Sequence, residues 1–180
     1  MTRSSRCAPR SAGEHRLPHP MRVLALDLGS KRVGVAVSDA TATLASPRST
    51  LHRVGDRAAE HRQVARMVAD EEAGLVLVGL PLNMDGSRGP AALAAAEEAA
   101  ALAALLEVPV ELVDERLTTV SADRVLLARG AKAPARRSIV DRTAAAILLQ
   151  GWLDGAAGAE FRATAGRPDG PPSSADGSVV

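Results

Sequence analysis

Aromatic side chains are almost missing from this 180-residue chain, where Trp152 and Phe161 stand alone and tyrosine is absent. A core must therefore be built from Ala, Val and Leu, and the aromatic stacking platforms of many single-strand binders are excluded. Cysteine is confined to Cys7 in a polar leader. No internal disulfide can form, and a reducing, cytoplasmic setting is expected. No apolar run is long enough to span a bilayer, so no membrane partner is expected. Residues 2–20 carry Arg3, Arg6, Arg10 and Arg16 but lack the apolar segment of a secretory signal. An excess of one charge is lacking too: 22 Lys and Arg against 21 Asp and Glu leave +1. Contact with a polyanion then has to come from a local patch. The phosphate-cradling pattern Gly-x-x-x-x-Gly-Lys-Ser/Thr does not occur. His15, His19, His52 and His61 have no metal-ligand spacing.

What is present is 46% hydrophobic residues, enough for one packed domain. Residues 1–20 read as a disordered extension, with Met21 a candidate start. The Gly-, Ala-, Pro- and Ser-rich stretch 155–180 reads as a disordered tail. The folded part is then 21–154. Within it, 22–28 is a continuous apolar run typical of a central strand, and Gly29-Ser30-Lys31 turns into an alternating strand at 32–38. A short third strand is expected near 47–51, a helix over 57–72 with Val64, Met67 and Val68 on one face, and a buried strand at 75–78. An Ala-rich helix over 90–106, a strand at 110–113, a helix over 117–129, a basic loop at 132–137 and a last helix over 138–153 follow. The order is βββαβαβαα, a mixed sheet with a leading hairpin and crossover helices.

Three acidic positions interrupt apolar sequence: Asp27, the pair Asp114-Glu115, and Asp141. An ionised carboxylate in a dry core is costly unless paired or metal-bound. Three drawn from distant segments suggest one shared cation site, and oxygen ligands of this kind suit Mg²⁺ or Mn²⁺. Each has a plainer explanation. Asp27 is well placed to initiate the turn at Gly29. Ser138-Ile139-Val140-Asp141 fits a helix capping box, although Asp141 also shares a helical stripe with Ala145, Leu148 and Trp152. Asp114 and Glu115 must point to opposite sides of a continuing strand, so one faces Asp27 and Arg116 is free to pair with the other. Asn83, in the loop after the strand at 75–78, lies where open α/β sheets bind ligands. Lys31, Arg32, Arg136 and Arg137 are candidate phosphate contacts, and Thr118 either caps a helix or touches phosphate.

Together these residues carry a resemblance. Ala25-Leu26-Asp27-Leu28-Gly29-Ser30-Lys31-Arg32-Val33-Gly34-Val35-Ala36-Val37-Ser38-Asp39 resembles the opening motif of the YqgF/RuvX family. Val78-Gly79-Leu80-Pro81-Leu82-Asn83-Met84-Asp85-Gly86, Asp114-Glu115-Arg116-Leu117-Thr118-Thr119, and Val140-Asp141 with Ala144 to Gln150 resemble its later blocks, in family order over 21–153. The resemblance implies a ribonuclease H-like fold, a mixed five-stranded sheet flanked by helices, similar to Holliday-junction resolvases. It implies a metal-dependent hydrolase, a nuclease in 5′-end maturation of pre-16S rRNA during ribosome biogenesis, with branched DNA as the alternative substrate. Asp27, Glu115 and Asp141 map onto its catalytic acids, and with Asp114 onto a site for Mg²⁺ or Mn²⁺. Lys31, Arg32, Asn83, Arg116, Thr118, Arg136 and Arg137 are the substrate contacts this reading assigns, and the partner is RNA of the small ribosomal subunit precursor. The resolvases carry one site acid at the end of the strand after the first helix, where this chain has Gly79-Leu80-Pro81 and its acid comes one strand later. Two other readings stand beside this one. An RNA-binding ribosome assembly factor that does not cut fits the near-neutral charge. An ATP-binding domain of the actin and sugar-kinase type fits Asp27-Leu28-Gly29-Ser30-Lys31, but such proteins use two such domains and this chain has one copy.

Overall fold

A computed structural model describes residues 22–118 and 136–164, with side chains for 22–116 and 144–164. Five strands form one sheet: β1 (Arg22–Leu28), β2 (Arg32–Ser38), β3 (Ala45–His52), β4 (Ala73–Leu80) and β5 (Val110–Asp114). Their order across the sheet is β3-β2-β1-β4-β5. The β1–β2 hairpin is antiparallel, with Leu28 opposite Val33 and Asp27 opposite Gly34. β1, β4 and β5 run parallel. β1 is central and covered on both faces, which is why its sequence is apolar without alternation.

The covering helices are α1 (Arg57–Asp70) and α2 (Pro90–Leu105) on one face, and α3 (Arg136–Asp154) with α4 (Ala156–Thr164) on the other. Side-chain parity divides the core accordingly. Leu24, Leu26, Val76 and Val78 pack with Val64, Val68 and Leu102 beneath α1 and α2. Val23, Ala25, Leu75, Leu77 and Val113 pack with Ala145, Leu148, Leu149 and Trp152 of α3. Asp56 caps α1 by accepting from the Ala59 amide at 3.0 Å, and Pro90 opens α2 where a missing N–H costs nothing. The α2 face against the sheet is Ala92, Ala95, Ala99 and Leu102, while Leu93 and Leu105 are exposed. Alanines let this helix approach the sheet closely in a chain with so few large side chains.

Three expectations change. The disordered tail does not begin at 155: α4 forms there and docks. Phe161 is buried and meets the Trp152 ring edge-on at 5.7 Å, and the Arg162 guanidinium donates to the carbonyls of Ala42 and Leu153 at 2.9 and 2.8 Å. The composition of this stretch is poor in apolar residues, but one aromatic ring finding another is enough to anchor it. Arg136 and Arg137 start α3 and do not belong to a loop, so the helix begins before Ser138, the expected cap. The expected helix at 117–129 lies outside the described residues beyond Thr118, and Glu115–Thr118 itself is a 3₁₀ turn.

The docking of α4 has a measurable consequence. Phe161→Ala should destabilise the protein by about 3 kcal/mol, and ending the chain at Gly155 by at least as much. Thermal unfolding followed by circular dichroism should show a fall in Tm on the order of 10 °C. A chain ending at Thr164 should melt like the full-length protein.

Candidate acidic site at the carboxyl edge of the sheet

Asp27 is the sixth residue of β1 and shares the parity of Val23 and Ala25, so it faces the α3 side of the sheet. The backbone turns immediately after it: the Gly29 amide donates to the Asp27 carbonyl at 3.2 Å. A Cβ on Gly29 would stand 2.7 Å from the Arg32 carbonyl oxygen, so this tight turn requires glycine. Lys31 is exposed at the turn, and Arg32 begins β2, half-buried.

The pair after β5 resolves by parity. Val113 faces α3, Asp114 faces the opposite side, and Glu115 returns to the α3 side in the 3₁₀ turn. Asp114 is buried and held by Arg116, whose Nη2 lies 2.6 Å from Oδ2 and whose Nε and backbone amide also donate to the carboxylate. These bonds, with the Arg116 charge, hold the Asp114 carboxyl below the usual range. The Asp114 oxygens, assigned to the metal set from the sequence, are bonded to the Arg116 guanidinium. Arg116, expected as a substrate contact, makes this pair and brings Nη1 near the Asn83 and Met84 carbonyls at 3.4 and 3.5 Å.

Glu115 has the opposite electrostatics. It is half-buried, and burial, the Asp27 charge and the Asp114 charge push its carboxyl up to about 7. Asp27 and Glu115 are therefore close enough to repel. Parity alone allows only one acid of the pair to do this, and it is Glu115.

α3 points its first turns at the same edge. Gln150 accepts from the Ala45 amide at 2.9 Å and donates to the Thr43 carbonyl at 3.2 Å, which ties the later turns of α3 to the start of β3. The helix also packs against β1 and against the 3₁₀ turn carrying Glu115. Asp141 stands one turn before Ala145, a residue buried against the sheet. The side chains of Asp141, Arg136, Arg137 and Thr118 lie outside the described residues. Among the described residues no three His, Cys, Asp or Glu side chains gather into a metal-binding cluster.

Asn83 is exposed, and its amide serves its own loop: Nδ2 donates to Ser87 Oγ at 2.8 Å, and the Gly86 amide donates to the Asn83 carbonyl at 2.8 Å. This side chain orders its own loop. Sequence reading missed a second charged cluster behind the β1–β2 turn. Arg53 donates to the Gly29 carbonyl at 2.8 Å, to Glu60 at 3.1 Å, and through both terminal nitrogens to Glu98 at 3.1 and 3.0 Å. Arg57 adds a 3.3 Å contact to Glu98. Burial pushes the Glu98 carboxyl up, but Arg53 and Arg57 overcome it and hold the group below its ordinary value. Spread over the loop after β3, α1 and α2, the cluster has no short sequence signature.

Residues 21–155 match the family model RuvX, described as Holliday junction resolvase. A Myxococcus xanthus protein named as a candidate pre-16S rRNA nuclease is 46% identical over 134 residues, covering 74% of this chain and 88% of that protein. One of the same name from Anaeromyxobacter dehalogenans is 47% identical, covering 74% and 97%. Among solved structures, T. thermophilus RuvC in complex with Holliday junction substrate has the same ribonuclease H-like fold, with a TM-score of 0.52 at 15% identity over 76% of this chain and 97% of that one.

The acid pair also predicts a pH signature. The folded-state value of Glu115, about 7, lies above its ordinary 4.5. The folded state then binds the proton more tightly, so this group's contribution to stability is full below 4.5 and is lost as pH rises through 7. In the absence of divalent ions, wild-type protein should gain Tm between pH 7 and pH 5 relative to Glu115→Gln, and the two variants should have converging slopes outside that window. Parallel Tm-against-pH curves would show that Glu115 is not perturbed. The match over 21–155, the curated relatives and the sheet topology agree: the chain belongs to the RuvX family.

Proposed function

We propose that this protein is a divalent-metal-dependent endonuclease that trims the 5′ end of pre-16S rRNA. The observation that carries the reading is the approach of the Asp27 and Glu115 carboxylates on one sheet face, at a cost visible in the raised Glu115 carboxyl. A fold does not hold two like charges together half-buried without return, and a hard cation is the partner that oxygen donors of this kind suit. Asp27 and Glu115 would hold it, joined by Asp141 from the stripe of α3 that leads into Ala145. A bound divalent ion supplies Lewis acidity for hydrolysing a phosphodiester bond. The chain's part is positional. Asp27 is fixed by the Gly29 turn, and Glu115 is fixed by the 3₁₀ turn. Glu115 must release the proton that it keeps near neutrality, so ion affinity rises with pH. Lys31 at the hairpin turn and Arg136 and Arg137 in the first turn of α3 flank this edge as phosphate contacts. The RNA substrate is supported by the names of the curated relatives. Among the described residues no helix is long and apolar enough to cross a membrane.

The test is incubation with pre-16S rRNA, free and in small-subunit precursor particles, and with a four-way DNA junction, each with Mg²⁺ or Mn²⁺. Cleavage of the RNA at a defined 5′ position is expected. Cutting only the junction would make the protein a resolvase, and binding without cutting would make it an assembly factor. Asp27→Asn should abolish cleavage while leaving the fold and RNA affinity intact. Ion at about 100 times its dissociation constant should add roughly 2.7 kcal/mol to wild-type stability, seen as a higher Tm that Asp27→Asn blunts.

A complementary variant separates contact from chemistry. Arg136→Ala with Arg137→Ala should weaken RNA binding and flatten its salt dependence, with cleavage at saturating RNA close to wild type. Equal affinity and equal salt slope would remove these arginines from the interface.

A further inference from the structure

Gly79 is the next-to-last residue of β4, opposite Val113 of β5, and takes the parity of Leu75 and Leu77, which face α3. Its place is therefore on the same face as Asp27 and Glu115, on the strand between theirs. A side chain at this position meets the Glu115 side chain. A Cβ built on Gly79 would overlap the Glu115 Oε1 carboxylate oxygen and stand 3.2 Å from Cδ and 3.3 Å from Cγ. The neighbours on β4, Val78 and Leu80, are fully buried, so the strand itself has no room to shift. What gives way is the end of the Glu115 side chain.

We infer that Gly79 is a positioning residue for the acidic site: the missing side chain on β4 is the space through which Glu115, carried by the 3₁₀ turn after β5, lays its carboxylate across the sheet toward Asp27. The glycine requirement here does not come from backbone conformation. It comes from the volume that one carboxylate occupies, and it couples positions 79 and 115 as a pair. A residue with any side chain at 79 requires a different residue at 115, or a carboxylate that points elsewhere. The inference rests on the proposed nuclease reading only for its consequence on ion binding and cutting; the steric pairing stands apart from it.

The experiment uses the full chain with Gly79→Ala, Glu115→Ala and the double variant. Calorimetric titration with Mn²⁺ in the absence of RNA should show Gly79→Ala weakened by about 10- to 100-fold, the scale of an outer residue that orients a ligand. Cleavage should fall by about 100-fold, as for a misplacement near 1 Å, with RNA affinity measured without metal unchanged. Adding Gly79→Ala to Glu115→Ala should cost nothing further in either assay, because both act through one carboxylate. The stability readout is independent of metal: Gly79→Ala should lower Tm in the wild-type background and lower it less, or not at all, when Glu115→Ala has vacated the space. This holds the test open even if Gly79→Ala folds poorly, since the double variant should recover. The inference is overturned if Gly79→Ala keeps wild-type Mn²⁺ affinity and cleavage, or if it lowers Tm equally in both backgrounds. A wild-type protein that neither binds Mn²⁺ nor cuts would instead sink the nuclease reading, leaving the Tm comparison to decide the pairing.

Discussion

Two carboxylates that repel one another, Asp27 and Glu115, set the terms for the rest of this structure. Like charges half-buried side by side raise the free energy of the fold, and here burial and Asp27 together push the Glu115 carboxyl up to about 7. The surrounding elements hold that arrangement in place. β1 is the central strand and is covered on both faces, so Asp27 cannot swing into solvent without disturbing the sheet. Glu115 sits in a 3₁₀ turn tied down by its neighbours on both sides, with Asp114 and Arg116 clasped together on the opposite face. α3 closes the same edge and is anchored at its far end by Gln150 and by α4.

The neighbouring acids show how context divides chemically similar groups. Asp114 and Glu115 are adjacent in sequence, yet one is held below its usual range by a guanidinium and the other is raised by desolvation and like charge. The difference comes from the two-residue period of the strand, which sends consecutive side chains to opposite faces. The buried cluster of Arg53, Glu60 and Glu98 follows the same logic without repulsion. Opposite charges are matched, the remaining donor reaches the Gly29 carbonyl, and the turn after Asp27 is braced from behind. A buried pair of this kind contributes little net stability but is costly to break, so it specifies geometry more than it strengthens the fold.

Much of the architecture was legible in the sequence. The strands at 22–28 and 32–38 have the expected bounds, because a continuous apolar run and an alternating one joined by Gly29-Ser30-Lys31 leave few other solutions. Strands β4 and β5 and helices α1 and α2 differ from expectation by one to a few residues at their ends, where apolar periodicity fades before hydrogen bonding does. The docked helix at Ala156–Thr164 was not legible. Its composition is that of a linker, and its order depends on Phe161 meeting Trp152, a contact between separate segments that no local pattern announces. The bonds of Asn83 to Ser87 and of Arg116 to Asp114 show that polar residues beside a suspected site also order the fold.

The sequence by itself determined the order of elements along the chain, the leading hairpin and the mixed character of the sheet, since each follows from local hydrophobic period and turn residues. Only the tertiary structure decided which acid of the pair joins Asp27, which residue restrains the other, and why β4 carries a glycine at 79. Those outcomes depend on the volume and charge of side chains brought together from β1, β4 and β5. Segments more than thirty residues apart in the chain lie there on adjacent strands, each about 4.8 Å from the next, and no reading along the chain measures that distance.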